Sequence, residues 1–201
     1  MNLKMDFRGG SGQPAAAVVP EWLFRQGLET SARPKWLTWL MAFAVGLSLF
    51  AVLSQLRIML PWTPVPITGQ TFAALFVALV WGRVQGTLVA ATHMLLVAPL
   101  FGLYGSLMAL QPTMGYLMGM LAATFVVGSL ADRGWSKTWL GSITSVLIGT
   151  GLIYAFGLAF LSFYIPSGQL LSMGLWPFLI GDLAKALFAA SLALKLRQKL
   201  T

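Results

Sequence analysis

Four long stretches of this chain carry no charged residue: between Lys35 and Arg57, Arg57 and Arg83, Arg83 and Asp132, and Lys137 and Asp182. A helix rises about 1.5 Å per residue, so roughly 20 apolar residues cross the ~30 Å hydrocarbon layer of a bilayer. The third and fourth stretches are long enough for two helices each. Pro99 and Pro112 bracket a break in the third, and Pro166-Ser167-Gly168 interrupts the fourth. The charge count agrees. Thirteen Lys or Arg and five Asp or Glu make up 9% of 201 residues, against about 25% in an ordinary soluble domain. Too few charges remain to cover a water-soluble surface, and the chain reads as an all-α integral membrane protein.

Six transmembrane helices are expected, at about 36–56, 67–82, 84–101, 113–131, 138–164 and 174–196. Eleven Lys or Arg residues then fall on the side of the termini, against Arg57 alone on the other. That bias predicts that both termini are cytoplasmic, and it accounts for the formal net charge of +8 without nucleic acid. Segment 60–70, LPWTPVPITGQ, holds three prolines and cannot be helical throughout. Residues 1–35 are polar and rich in Gly, Pro and Ala. They read as a flexible cytoplasmic extension, or as a short interfacial helix around Trp22, Phe24 and Leu28. Residues 36–201 are expected to form a six-helix transmembrane domain. With no cysteine and a single histidine, His93, disulfides, thiolate metal sites and His-rich metal sites are excluded.

Two charges are not explained by topology. Asp182 and Lys185 lie inside the last span, WPFLIGDLAKALFAASLAL, three residues apart on one helix face. Each costs roughly 2.5–3.5 kcal/mol at a helix centre. The nine Leu, Ile or Phe residues from Leu175 to Leu194 return about 0.3–0.6 kcal/mol each. The helix is marginal alone and needs a bundle that supplies partners. The pair either locks packing or forms a polar ligand site; intramembrane ionisable groups favour the second. Asp182 is expected roughly 10 Å below the outer end of its helix, the right depth for a pocket opening outward.

Gln70, Thr68, Gln111, Thr113, Tyr104 and Tyr116 fall near the outer ends of spans. They are candidates to converge with Asp182 and Lys185, although caps and interhelix hydrogen bonds use the same residue types. His93 reads as a bundle-facing hydrogen bonder. An intramembrane enzyme using Asp182 with His93 lacks a nucleophile motif or metal cluster. Most tryptophans sit near expected interfaces, as an aromatic belt requires. Ala42 with Gly46, Ala44 with Ser48, and Gly115 with Gly119 form small-xxx-small steps suited to close helix contact.

LPWTPVPITGQTF, QPTMGYLMG and PFLIGDLAKALFAA, in this order, resemble motifs of the BioY family, the biotin-binding S components of energy-coupling factor (ECF) vitamin transporters. The family pattern resembles PxPVPITxQ after helix 1, GPTGGYLxG opening helix 4 and PGDxxK in helix 6. The resemblance runs from about residue 36 to 198. It implies a six-helix S-component bundle in the plasma (cell inner) membrane, no enzymatic activity and no cofactor, with biotin as the transported ligand. Asp182 and Lys185 carry over to substrate binding, with Tyr116, Gln70, Thr113 and Tyr104 beside them. Trp62, Tyr104, Tyr116 and Trp176 are candidates for its aromatic walls. The implied partners are an ECF transmembrane coupling protein and two ATPase subunits, since this chain has no Walker A pattern. The Ala42 and Gly46 face corresponds to the family's docking face for the coupling protein. There are departures. The stretch VAPLFGLYGSLMALQPT has no Asn, and Leu117 follows Tyr116 where some members carry Arg. They favour as the alternative an S component or solo carrier for another small vitamin; a non-transport structural membrane subunit with a buried ion pair is the other.

Overall fold

The structure is a computed structural model that describes residues 35–97 and 112–198. The extension expected to be flexible, and Tyr104 and Gln111, lie outside the described residues. What is described is mostly helical. Helix α1 spans Lys35–Gln55, α2 Gln70–Thr92, α3 Met114–Asp132, α4 Trp139–Leu161, α5 Leu170–Gly174 and α6 Trp176–Gln198. A π-helical turn, His93–Val97, extends α2, and short 3-10 turns precede α4 and α5. Five of these segments are long and apolar enough to cross a membrane: Trp36–Gln55, Gln70–Leu96, Met114–Asp132, Trp139–Leu161 and Ser167–Leu196.

Helix α2 is broken. Gly82 has φ 73° and ψ −171°, a conformation that glycine alone adopts without steric cost. Beyond it the chain turns back on itself. A Cβ placed on Gly86 would sit 3.2 Å from the Cα of Ala78, whereas eight residues of continuous helix separate such positions by about 12 Å. The new helix start is capped from another helix: Arg83 N–H donates to Asp132 Oδ2 at 3.2 Å. This break lies where Arg83 divides the second and third charge-free stretches.

The first arm of α2 is buried on every side from Ala73 to Trp81, as expected of a helix at the centre of a bundle. Elsewhere each long helix buries one face and shows an apolar one outward. On α6 the buried face is Phe178, Asp182, Ala186, Ala189, Ala190 and Ala193, an i, i+3, i+4 stripe. Its other face carries Ile180 at 85% exposure; α4 and α1 likewise expose Leu140 at 75% and Val52 at 65%. Apolar residues covering both faces of a helix suit hydrocarbon rather than water. Helices α3 and α4 meet at Gly115 and Gly119, where a Cβ on Gly119 would lie 2.8 Å from the Cα of Ile153. The small-residue step read in that helix is therefore a packing contact.

Gln70 opens α2, and segment 60–69 is not helical, as its prolines require. It closes a two-stranded antiparallel ribbon, β1 (Arg57–Ile58) against β2 (Ile67–Thr68), with Arg57 opposite Thr68 and Ile58 opposite Ile67. Thr63 ties the loop to the far end of the chain by donating Oγ1–H to Met173 O at 2.7 Å, while accepting from Val65 N at 3.2 Å.

The docking assignment at Ala42 and Gly46 is corrected by this packing. Ala42 is fully buried, its carbonyl accepting from Trp81 Nε1 at 2.8 Å. A Cβ on Gly46 would meet Val89 at 3.2 Å and the Trp81 ring at 3.5 Å. This face of α1 is covered by α2 and is closed to a partner. The small pair left exposed on α1 is Ala44 with Ser48.

Candidate ligand-binding site

Asp182 reaches inward from the second turn of α6 and is 9% exposed. Its carboxylate gathers three donors from three parts of the chain. Lys185 Nζ donates to Oδ1 at 2.9 Å, Thr71 Oγ1 to Oδ1 at 3.2 Å, and Tyr154 OH to Oδ2 at 2.9 Å. A carboxylate has about four acceptor positions, so one remains. Lys185 Nζ also donates to Thr68 O at 2.8 Å and to Thr71 Oγ1 at 3.5 Å. The ion pair thus joins α6 to the end of the proline-rich loop and the first turn of α2. A bare charge at this depth costs several kcal/mol; pairing and hydrogen bonding reduce that cost.

The carboxylate stands on the wall of a cavity. Val65, Ile67, Leu117, Met120 and Phe178 make its apolar lining. Thr68, Gln70, Thr71, Thr113, Tyr116 and Tyr154 add polar groups, and Arg57 joins them from β1. A few polar groups set in apolar walls is the pattern of small-molecule sites. The enclosed space is about 50 Å³, below the roughly 300–1,000 Å³ of pockets that enclose drug-sized ligands. A ligand of that size enters only if the walls part.

Of the residues singled out from the sequence, Asp182, Thr68, Gln70, Thr113 and Tyr116 line this cavity, and Lys185 anchors it through Asp182. Tyr116 offers its ring: its hydroxyl donates to Gly174 O at 2.7 Å. Trp62 and Trp176 are 58% and 59% exposed and do not line the cavity, which corrects their reading as its walls. His93 is fully buried and faces the bundle, but it stacks on Phe50 at 4.5 Å between ring centroids. Its ring nitrogens have no hydrogen-bond partner among the described residues, and it does not line the cavity. Two residues were missed. Tyr154 is the one phenol between Trp139 and Leu161, which was a readable signal. Thr71 directly follows the proline-rich motif.

The sequence model of the BioY family matches residues 28–201. A Thermotoga maritima protein named biotin transporter BioY is 39% identical over 147 residues, covering 70% of this chain and 86% of that protein. A Bacillus subtilis protein named probable biotin transporter BioY is 31% identical over 171 residues, covering 81% and 91%. Among solved structures, the S-component for biotin from an ECF-type ABC transporter aligns with TM-score 0.70 and 24% identity, over 84% of this chain and 95% of that one; at that identity the likeness is one of fold. The motifs around Gln70, Tyr116 and Asp182 therefore sit in a chain that matches the family nearly end to end, and this protein belongs to the BioY family.

Proposed function

We propose that this chain is the membrane-embedded biotin-binding subunit of a vitamin uptake transporter. It captures biotin outside the cell for import with an ECF module, a coupling protein and two ATPase subunits. The observation that carries the reading is the buried Asp182 carboxylate on the wall of an apolar cavity, held by Lys185, Thr71 and Tyr154 with an acceptor position to spare. Biotin's ureido ring has two N–H donors that suit such an acceptor, and its thiophane ring and valeryl chain suit apolar walls. The relatives' names, biotin transporter BioY and probable biotin transporter BioY, point to the same vitamin.

In this reading the two arms of α2 on either side of Gly82 are separate spans, which makes six. Both termini are cytoplasmic, and the cavity opens outward near Arg57, in the plasma membrane. The chain transports rather than catalyses. Uptake of labelled biotin by cells lacking their own transporter tests the reading. Expression of this chain with an ECF module is expected to restore uptake, and expression of the Asp182→Asn variant is not. No uptake from a correctly inserted wild-type chain contradicts the reading.

A further inference from the structure

The ring of Tyr116 is a wall of the cavity, and its hydroxyl is held by Gly174 O at 2.7 Å. Where the ring lies is decided by residues that carry no side chain. Gly157 is buried in α4, three residues beyond Tyr154. A Cβ on it would lie 2.6 Å from Tyr116 Cζ and closer still to Cδ1 and Cε1, where carbon atoms in contact keep about 3.5–4.0 Å. The ring therefore rests against bare α4 backbone. Tyr116 lines the cavity and Gly157 does not, so the ring stands between the two.

A glycine inside a helix is disfavoured against alanine and calls for a local reason. The glycines of α4 differ in this respect. A Cβ on Gly151 would meet nothing within 4 Å, whereas Gly157 has the Tyr116 ring over it. The ring has little room to yield elsewhere. At its hydroxyl end, a Cβ on Gly174 would lie 2.9 Å from Tyr116 Oη. Beside its root, α3 and α4 already touch: a Cβ on Gly115 would lie 3.2 Å from Gly157 Cα and closer still to Phe156 O. The unfilled space next to the ring is the cavity. A side chain at 157 would move the ring about 1 Å toward it, and a cavity of about 50 Å³ has little width to lose.

We propose that Gly157 is a positioning residue for the ligand's ring system. It acts through Tyr116, letting that ring lie back on α4 and so setting the width of the cavity. The width admits a small ligand with a rigid fused ring; a narrowed cavity favours a slimmer ligand with the same polar groups. This rests on the biotin reading above and names what in the fold makes room for the bicyclic end.

Calorimetric titration of biotin and desthiobiotin into purified full-length protein tests it. Desthiobiotin keeps the ureido ring and the acid chain but lacks the second, sulfur-closed ring. Folded Gly157→Ala is expected to bind biotin about tenfold or more weakly, and biotin's advantage over desthiobiotin shrinks by about threefold or more. The control, Gly151→Ala, is expected to leave both affinities within about threefold of wild type. In a Tyr116→Val background, where no ring is left to displace, Gly157→Ala is expected to cost less than about threefold. The assignment is overturned by a Gly157→Ala protein that fails to fold, by biotin affinity within about threefold of wild type, by an equal loss for both compounds, or by an undiminished loss in the Tyr116→Val background. Each of these leaves the biotin reading standing. If Tyr116→Val binds no biotin, the ratio of the two compounds decides alone. Folded wild-type protein that binds no biotin overturns the biotin reading, and the assignment with it.

Discussion

Replacing Lys185 with methionine removes the cation of a largely buried ion pair and leaves its length and apolar stem nearly unchanged. Breaking a buried pair from one side costs about 3–5 kcal/mol, because the remaining charge is stranded. Two features lower that figure here. Asp182 keeps the Tyr154 and Thr71 bonds, and the Lys185 side chain is 24% exposed. About 2–3 kcal/mol is then expected, or roughly 4–12 °C in Tm for a chain of this size. Asp182→Asn is expected to cost a similar amount, since Lys185 keeps only Thr68 O and Thr71 Oγ1. The double variant strands no charge. Its loss is expected to fall short of the sum of the singles by at least about 1.5 kcal/mol. Thermal unfolding of the four proteins in one detergent gives the cycle, and biotin uptake by the same four separates ligand binding from packing. The double variant should recover stability and remain inactive. Additive losses refute the pairing energetics. Uptake that survives in the double variant refutes the site.

Tyr154→Phe removes one donor to Asp182 and is expected to weaken biotin binding by about tenfold or more, read by calorimetry. Gly82→Val forces a branched side chain into a positive-φ turn and should lower Tm by several degrees. Ala42→Trp collides with Trp81 inside the chain, so folded yield should fall even without a partner protein; size-exclusion profiles check this. Ala44→Trp adds bulk to an exposed position of α1 and should leave the isolated protein's Tm within about 2 °C.

The charge-free runs placed the helices because hydrocarbon tolerates few charges, and they divided α2 at the Arg83 boundary. Asp182 and Lys185 stood out for the same reason: nothing apolar explains them. The prolines of 60–70 declared a non-helical loop, but not the ribbon that sets Arg57 opposite Thr68. Which face of α1 points inward was not legible. In a membrane the outer face is apolar too, so Ala42 and Gly46 look no different from Ala44 and Ser48 until Trp81 and Val89 are in place. Tyr154 could be noticed as a phenol within its span, but nothing in the sequence tied it to a carboxylate 28 residues later. Thr71 was hidden because threonine is common in such spans and only the fold brings it to Lys185.

Equilibrium binding of biotin to the purified chain, wild type beside Asp182→Asn, tests the central claim most directly. The account predicts saturable one-to-one binding by the wild type and at least a hundredfold loss in Asp182→Asn, with the variant's folding verified by its chromatographic profile. Equal affinity in the two folded proteins would contradict it.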